Sequence, residues 1–127
     1  MYTSSINKKY LLLLDLEIAV HHARKTRMHF PLQRYFNSTL NRNAFARLMC
    51  KASYLDRGYS IKQICDEIVI SRMSCHTMIR ECLAAGYIIK HGEKSYIAGE
   101  ELVSRTEDYM NFRLGTKEFN GLVKYLK

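Results

Sequence analysis

The sequence predicts a mainly α-helical single domain carrying one small β-hairpin, and three stretches lead to that reading. The first is residues 60–86, SIKQICDEIVISRMSCHTMIRECLAAG, two short amphipathic helices joined by a tight corner. Ile61, Ile64, Cys65 and Ile68 recur at i, i+3, i+4 and i+7, and Cys75, Met78, Ile79 and Cys82 repeat that spacing. The second is YIIKHGEKSYIAG, where the β-prone runs 87–90 and 95–98 flank a four-residue connection containing Gly92. Such a connection between such runs is hairpin chemistry. The third is the pair of flanks, about 6–28 and 99–126, with apolar residues at helical spacing. A chain of 127 residues fits one domain with a core of its own, and 47% apolar with 25% charged residues is ordinary folded composition.

In chain order, residues 1–5 form a polar start. Over 6–28 the period is helical: Ile6, Tyr10, Leu13, Leu14, Glu17 and Ile18 share one side. Leu11, Leu12, Leu16, Ala19, Val20 and Ala23 spread the apolar surface well beyond one stripe. A terminal helix this apolar is buried on more than one side, as monomer core, as subunit interface or as both; a contribution to both is expected. His21, His22, Arg24, Lys25 and Arg27 close it with cations suited to the negative end of the helix dipole. His21 and His22 are adjacent, so they point to different faces and suit no shared metal site. Pro31 breaks the chain before a short helical turn and loop with Arg34 beside Tyr35 and Phe36. Asn41 or Asn43 is the expected cap of the next helix, about 43–57, striped by Phe45, Leu48, Met49, Ala52 and Leu55 and ended by Gly58. Ser60 and Ser71 sit where N-caps belong, and Gly86 where a left-handed stop is wanted. Gly99-Glu100-Glu101 opens a further helix with acids in its first turn, carrying Leu102, Val103, Thr106, Tyr109, Met110 and Arg113. Gly115 breaks it, and Thr116 caps a last helix through Leu126 with Phe119, Leu122, Val123 and Leu126 inward.

Helix, corner, helix and basic-tipped hairpin is the order of a winged helix-turn-helix. The outer face of the first helix is an ordinary solvated mixture, Lys62, Gln63, Asp66 and Glu67. The second shows Arg72, Met73, Ser74, His76, Thr77 and Arg80, with no acid before Glu81. The run SIKQICDEIVISRMSCHTMIRECLAAGYI resembles the helix-turn-helix of winged-helix transcriptional regulators. With helices on both sides, the whole chain is similar to the MarR family. Ser71-Arg72 with the helix that follows, and Ala85-Gly86-Tyr87-Ile88, are the strongest points of likeness. Val69 stands where such corners usually carry Gly, and the hairpin is shorter than a MarR wing and lacks its Asp-x-Arg pattern. The resemblance implies a winged helix over 42–98 between an N-terminal helix and loop (1–41) and C-terminal helices (99–127). It further implies a homodimer through the terminal helices, with Leu11, Leu12, Leu14, Ile18, Phe119, Leu122, Val123 and Leu126 as the dimerisation set. A pocket for a small-molecule effector between the dimer helices and the reading unit is implied too, with no residue naming the ligand.

The function expected is sequence-specific binding of double-stranded DNA by a transcription regulator. Helix 71–85 would lie in the major groove with hairpin 87–98 as wing. Arg72, Ser74, His76, Thr77 and Arg80 are the direct-contact candidates, Arg being suited to guanine O6 and N7, with Met73 beside them in the DNA-binding set. Lys62, Ser71 and Ser74 suit phosphate, and Lys90, His91 and Lys94 suit flanking backbone or minor groove. Charge agrees: the net is +8, with six bases and two acids over 1–41, nine and five over 42–98, and five of each over 99–127. Such a surplus favours a polyanion, with binding that weakens as salt rises. The alternative is a winged-helix replication, packaging or assembly factor that binds DNA non-specifically or a protein partner.

An enzyme is not expected. Cys75 and His76 diverge by about 100° on a helix, and no phosphate-cradling Gly loop or HExxH occurs. Cys50, Cys65, Cys75 and Cys82 show no C-x-x-C pair and no zinc-ligand spacing; the last three fall on apolar stripes and suggest packing in a reducing, cytoplasmic setting. Cys75, near His76 and Arg72, is the one with part of a redox-sensing environment. YLLLLDLEIAV holds Asp15 and Glu17 and is too short to span a bilayer. No cofactor and no metal are expected.

Overall fold

The computed structural model describes residues 5–126, with side chains from Asn7 onward. The polar start over 1–4 and the side chain of Ile6 lie outside the described residues. Seven helices and one hairpin follow in order: α1 (Ser5–Arg27), α2 (Pro31–Phe36), α3 (Leu40–Leu55), α4 (Ile61–Ile68), α5 (Arg72–Ala85), β1 (Ile88–Lys90), β2 (Tyr96–Ala98), α6 (Glu100–Leu114) and α7 (Lys117–Leu126). The mainly helical class with one small antiparallel hairpin is therefore as expected.

Capping explains where the helices begin. α3 starts at Leu40, ahead of the expected 43, because Thr39 rather than Asn41 or Asn43 is the cap: its backbone is extended and its hydroxyl accepts from the Arg42 N–H at 3.1 Å. Ser60 caps α4 in a reciprocal box, accepting from the Gln63 N–H while the Gln63 side chain accepts from the Ser60 N–H. Ser71 caps α5 by accepting from the Ser74 N–H at 3.1 Å, and Thr116 does the same for α7 from the Phe119 N–H. Pro31 opens α2, where its missing N–H costs nothing.

The helix ends divide. Gly86 stops α5 at φ 78°, as its position suggests. α3 instead ends at Asp56, left-handed at φ 51°, not at Gly58. Gly58 serves a close approach: a Cβ there would lie 2.6 Å from Ser95 Oγ. The corner after α4 is turned by Val69 at φ 54° with its side chain 86% exposed, a conformation that is an outlier for a β-branched residue.

β1 and β2 pair with Ile88 opposite Ala98, Ile89 opposite Ile97 and Lys90 opposite Tyr96. Tyr59 and Tyr96 exchange two backbone hydrogen bonds of 3.0 Å, so the chain between α3 and α4 runs alongside β2. Each strand is one residue shorter than expected, Tyr87 and Ser95 lying outside, although the Gly99 N–H still donates to the Tyr87 carbonyl at 2.8 Å. Ser53 Oγ accepts from the Ala98 N–H at 3.0 Å, fastening α3 to β2.

The main core is built around α3, with Phe45, Met49 and Ala52 fully buried. Ile64 of α4, Cys75 and Cys82 of α5, Ile88 of β1 and Leu102 of α6 close over them. Each large apolar side chain buried this way contributes about 1.5–3 kcal/mol relative to exposure. A second, smaller cluster joins Leu16 and Val20 of α1 to Tyr109 of α6, with Phe119 and Leu122 of α7 against it. No described helix is long and apolar enough to cross a membrane.

The left-handed conformation costs a non-glycine residue roughly 1–2 kcal/mol, of which glycine's freedom in the unfolded chain returns about 0.4–1 kcal/mol. The Val69→Gly variant is expected to be more stable by about 0.5–1 kcal/mol, since the lost side chain packs against little; urea unfolding checks this, and a loss of stability would refute it.

Candidate nucleic-acid interface

α5 is fixed from beneath and bare above. Cys75, Met78, Ile79 and Cys82 bury its inner face, while Arg72, Met73, His76 and Arg80 are exposed, Met73 by 80%. Ser74 and Thr77 are half-buried on the flank that faces the start of α3. The two serines of the first turn are linked, Ser71 Oγ donating to Ser74 Oγ at 3.0 Å.

Two shallow grooves run beside this helix. One, between α4, α5 and the hairpin, is lined by Ser60, Ile61, Lys62, Arg72, Lys94 and Tyr96. It collects three cations from three separate elements, and none of them forms an ion pair among the described residues. The other lies between α5 and the N-terminus of α3, with Thr39, Arg42, Met73, Ser74, Thr77 and Glu81 on its walls.

Arg42 is the residue of this second groove that sequence reasoning missed, because the helix was expected to start after it; the Thr39 cap is the signal that finds it. Arg42 is held firmly. Its guanidinium donates to Ser38 Oγ at 2.8 Å, lies 4.3 Å from the Tyr35 ring centroid and sits 3.7 Å from Glu81 Oε1. The Tyr35 hydroxyl donates to the same carboxylate at 2.9 Å. Burial, with Cys82 and Glu81 beside it, holds the Tyr35 phenol well above its ordinary range, so it stays a donor. Glu81, the one acid of α5, is thus engaged by α2 and α3.

The hairpin residues separate. Lys94 joins the cationic groove, whereas Lys90 is exposed on β1 and lines neither groove. His91 points its Nε2 to Asp56 Oδ1 at 3.3 Å, tying the hairpin tip to the end of α3. The terminal helices separate similarly. Leu12 lies over Gly121, and Phe119 and Leu122 pack onto Leu16, Val20 and Tyr109, so these three serve α1–α7 packing within the chain. Leu11, Leu14, Ile18, Val123 and Leu126 are exposed, the first three by more than half.

The cysteines are free and placed for packing: Cys50, Cys75 and Cys82 are buried, Cys65 half-buried. Burial, then the neighbouring Cys65, pushes the Cys75 thiol up to about 12, against any activation by Arg72. Burial likewise pushes Cys82 up to about 11 and raises Cys50. Unfolded thiols ionise near 9.0 while Cys75 and Cys82 hold their protons to about 11–12, so the stability they contribute is present below pH 9 and lost as pH rises through that window. At pH 8 an aromatic disulfide reagent is expected to label about one thiol quickly in the native protein and all four after unfolding; rapid labelling of Cys75 in peptide mapping would refute this.

No protein-family model, no curated protein and no solved structure matches this chain.

Proposed function

We propose that the protein is a homodimeric regulator that reads double-stranded DNA, with α4, α5 and the hairpin acting as a winged helix. The carrying observation is the convergence of Lys62, Arg72 and Lys94 in one groove beside the bare outer face of α5. α5 spans 14 residues, about 21 Å at 1.5 Å per residue, enough to lie along a major groove about 12 Å wide. Arg72, His76 and Arg80 offer donors to base edges, and Met73 offers an apolar surface to a thymine methyl. Glu81 repels no phosphate strongly from this face because Arg42 and Tyr35 hold it. Lys62 and Lys94 flank the helix as phosphate contacts, which set register without reading sequence.

The exposed apolar strip of α1, Leu11, Leu14 and Ile18, supports pairing of two copies. A two-fold dimer presents its two α5 helices to half-sites about one turn, ~34 Å, apart. The same strip favours the second reading, an assembly factor whose partner is a different protein.

Selection of genomic fragments at ~150 mM salt, where non-specific backbone binding is suppressed, is expected to return a short inverted repeat. Arg72→Ala should cost about 1–3 kcal/mol on that repeat and relax its sequence, while Lys94→Ala should weaken all sequences alike and flatten the salt dependence. Random fragments, or none, would overturn the regulator reading. Leu14→Glu with Ile18→Glu should halve the mass measured by light scattering without unfolding the chain, since both positions are exposed. An unchanged mass would place the dimer contact elsewhere.

A further inference from the structure

Arginines gather where the terminal helices meet the rest of the fold. Between α1, α2, α3 and α6 lies a cavity of about 40 Å³ whose walls include Arg24, Arg27, Arg47, Arg105, Gln33 and Tyr109. Arg27 is neutralised by Asp108 at 2.9 Å. Arg24, Arg47 and Arg105 form no ion pair among the described residues, and neither does the adjacent Arg113. What compensates them is aromatic. The guanidinium carbons of Arg24, Arg47 and Arg113 lie 5.5, 4.9 and 5.6 Å from the Tyr109 ring centroid, and Arg24 and Arg113 donate to its hydroxyl at 3.2 and 3.3 Å. Arg105 lies 3.8 Å over the Phe30 ring.

One phenol cannot serve three cations fully. Arg24 Nε and Arg113 Nε are buried without a hydrogen-bond partner, and so is Oε1 of Gln33, whose residue is only 8% exposed. Groups so placed leave hydrogen-bond capacity unused at a cost that a bound partner removes. Burial lowers the Arg47 guanidinium from its ordinary range, with Arg24 and Arg113 pressing the same way and Tyr109 opposing. The cavity exceeds the roughly 10–15 Å³ that one water needs and has room for a small oxyanion.

We propose that this cavity is a structural oxyanion site, taking hydrogen phosphate, that holds α1 and α6 against α2 and α3. Phosphate oxygens suit the forked N–H donors of Arg24, Arg47 and Arg105, and its O–H supplies the donor that Gln33 Oε1 lacks. The anion removes the mutual repulsion of the guanidiniums at a junction where apolar burial is thin: the buried residues of the terminal cluster are Leu16, Val20 and Tyr109 alone among those described. The site is separate from the grooves beside α5, and its occupancy does not depend on the DNA reading.

Inorganic phosphate is the probe, with no nucleic acid present. At constant ionic strength in sodium chloride, raising phosphate from zero to ~20 mM is expected to lift Tm saturably by roughly 4 °C or more. Phosphate at ~20 mM is far below the range where it acts as an excluded salt. Arg47→Gln should lose most of the rise, while Lys62→Ala, in the groove beside α5, should keep it. If Arg47→Gln does not fold, Arg105→Gln on the same wall carries the test. Calorimetric titration of the native chain should give one phosphate per protomer. Absence of saturable binding, a rise undiminished by either arginine variant, or a rise lost in Lys62→Ala would each overturn the proposal.

Discussion

The buried face of α3 is the constraint on which the rest of the molecule depends. Phe45, Met49 and Ala52 are fully buried there, and α2, α4, α6 and β2 all pack against this one helix. Because α3 occupies the centre, α4 packs on it and α5 packs on α4 and β1, apolar stripes down, and their outer polar faces meet solvent except where Glu81 meets Tyr35 and Arg42. The exposure of Arg72, His76 and Arg80 follows from where Cys75, Met78, Ile79 and Cys82 must go. Polar contacts refine the arrangement. Ser53 holds β2 by its backbone, and Tyr35 and Arg42 hold α5 through Glu81.

The molecule is unevenly stabilised. Around α3 the core is continuous, whereas α1 and α7 contribute a small cluster centred on Tyr109 and leave a strip of α1 bare. Between the two lies the arginine-walled cavity, so the weakest apolar packing and the densest positive charge coincide. Strain sits elsewhere, at Val69 in the corner before α5, where a left-handed turn is needed and no glycine supplies it.

Much of the fold was legible in the sequence because it follows from local chemistry. The stripes of α4 and α5, the caps Ser60, Ser71 and Thr116, the stop at Gly86 and the hairpin connection at Gly92 are decided within four or five residues of chain. The misplaced boundaries of α3 have the same origin. Thr39 caps in place of the expected Asn41 or Asn43, and Asp56 adopts the left-handed stop expected of Gly58. In the candidate site, the outward residues of α5 were legible as the complement of its buried stripe.

The sequence by itself determined the order of helices and hairpin, the inner and outer faces of α4 and α5, and the excess of positive charge; Leu55, Val123 and Leu126, on expected inward stripes, are exposed. Tertiary structure decided which charges meet. Lys62, Arg72 and Lys94 are distant in the chain and share one groove; His91 turns to Asp56 instead of joining them. Leu12, Phe119 and Leu122 face inward while Leu11, Leu14 and Ile18 do not. Three arginines from three helices, Arg24, Arg47 and Arg113, converge on Tyr109. The physical reason is one of range: helical period and capping act over a few residues along the chain. Electrostatic and packing partners act across space, and their pairing exists only once α3 has brought the other elements together.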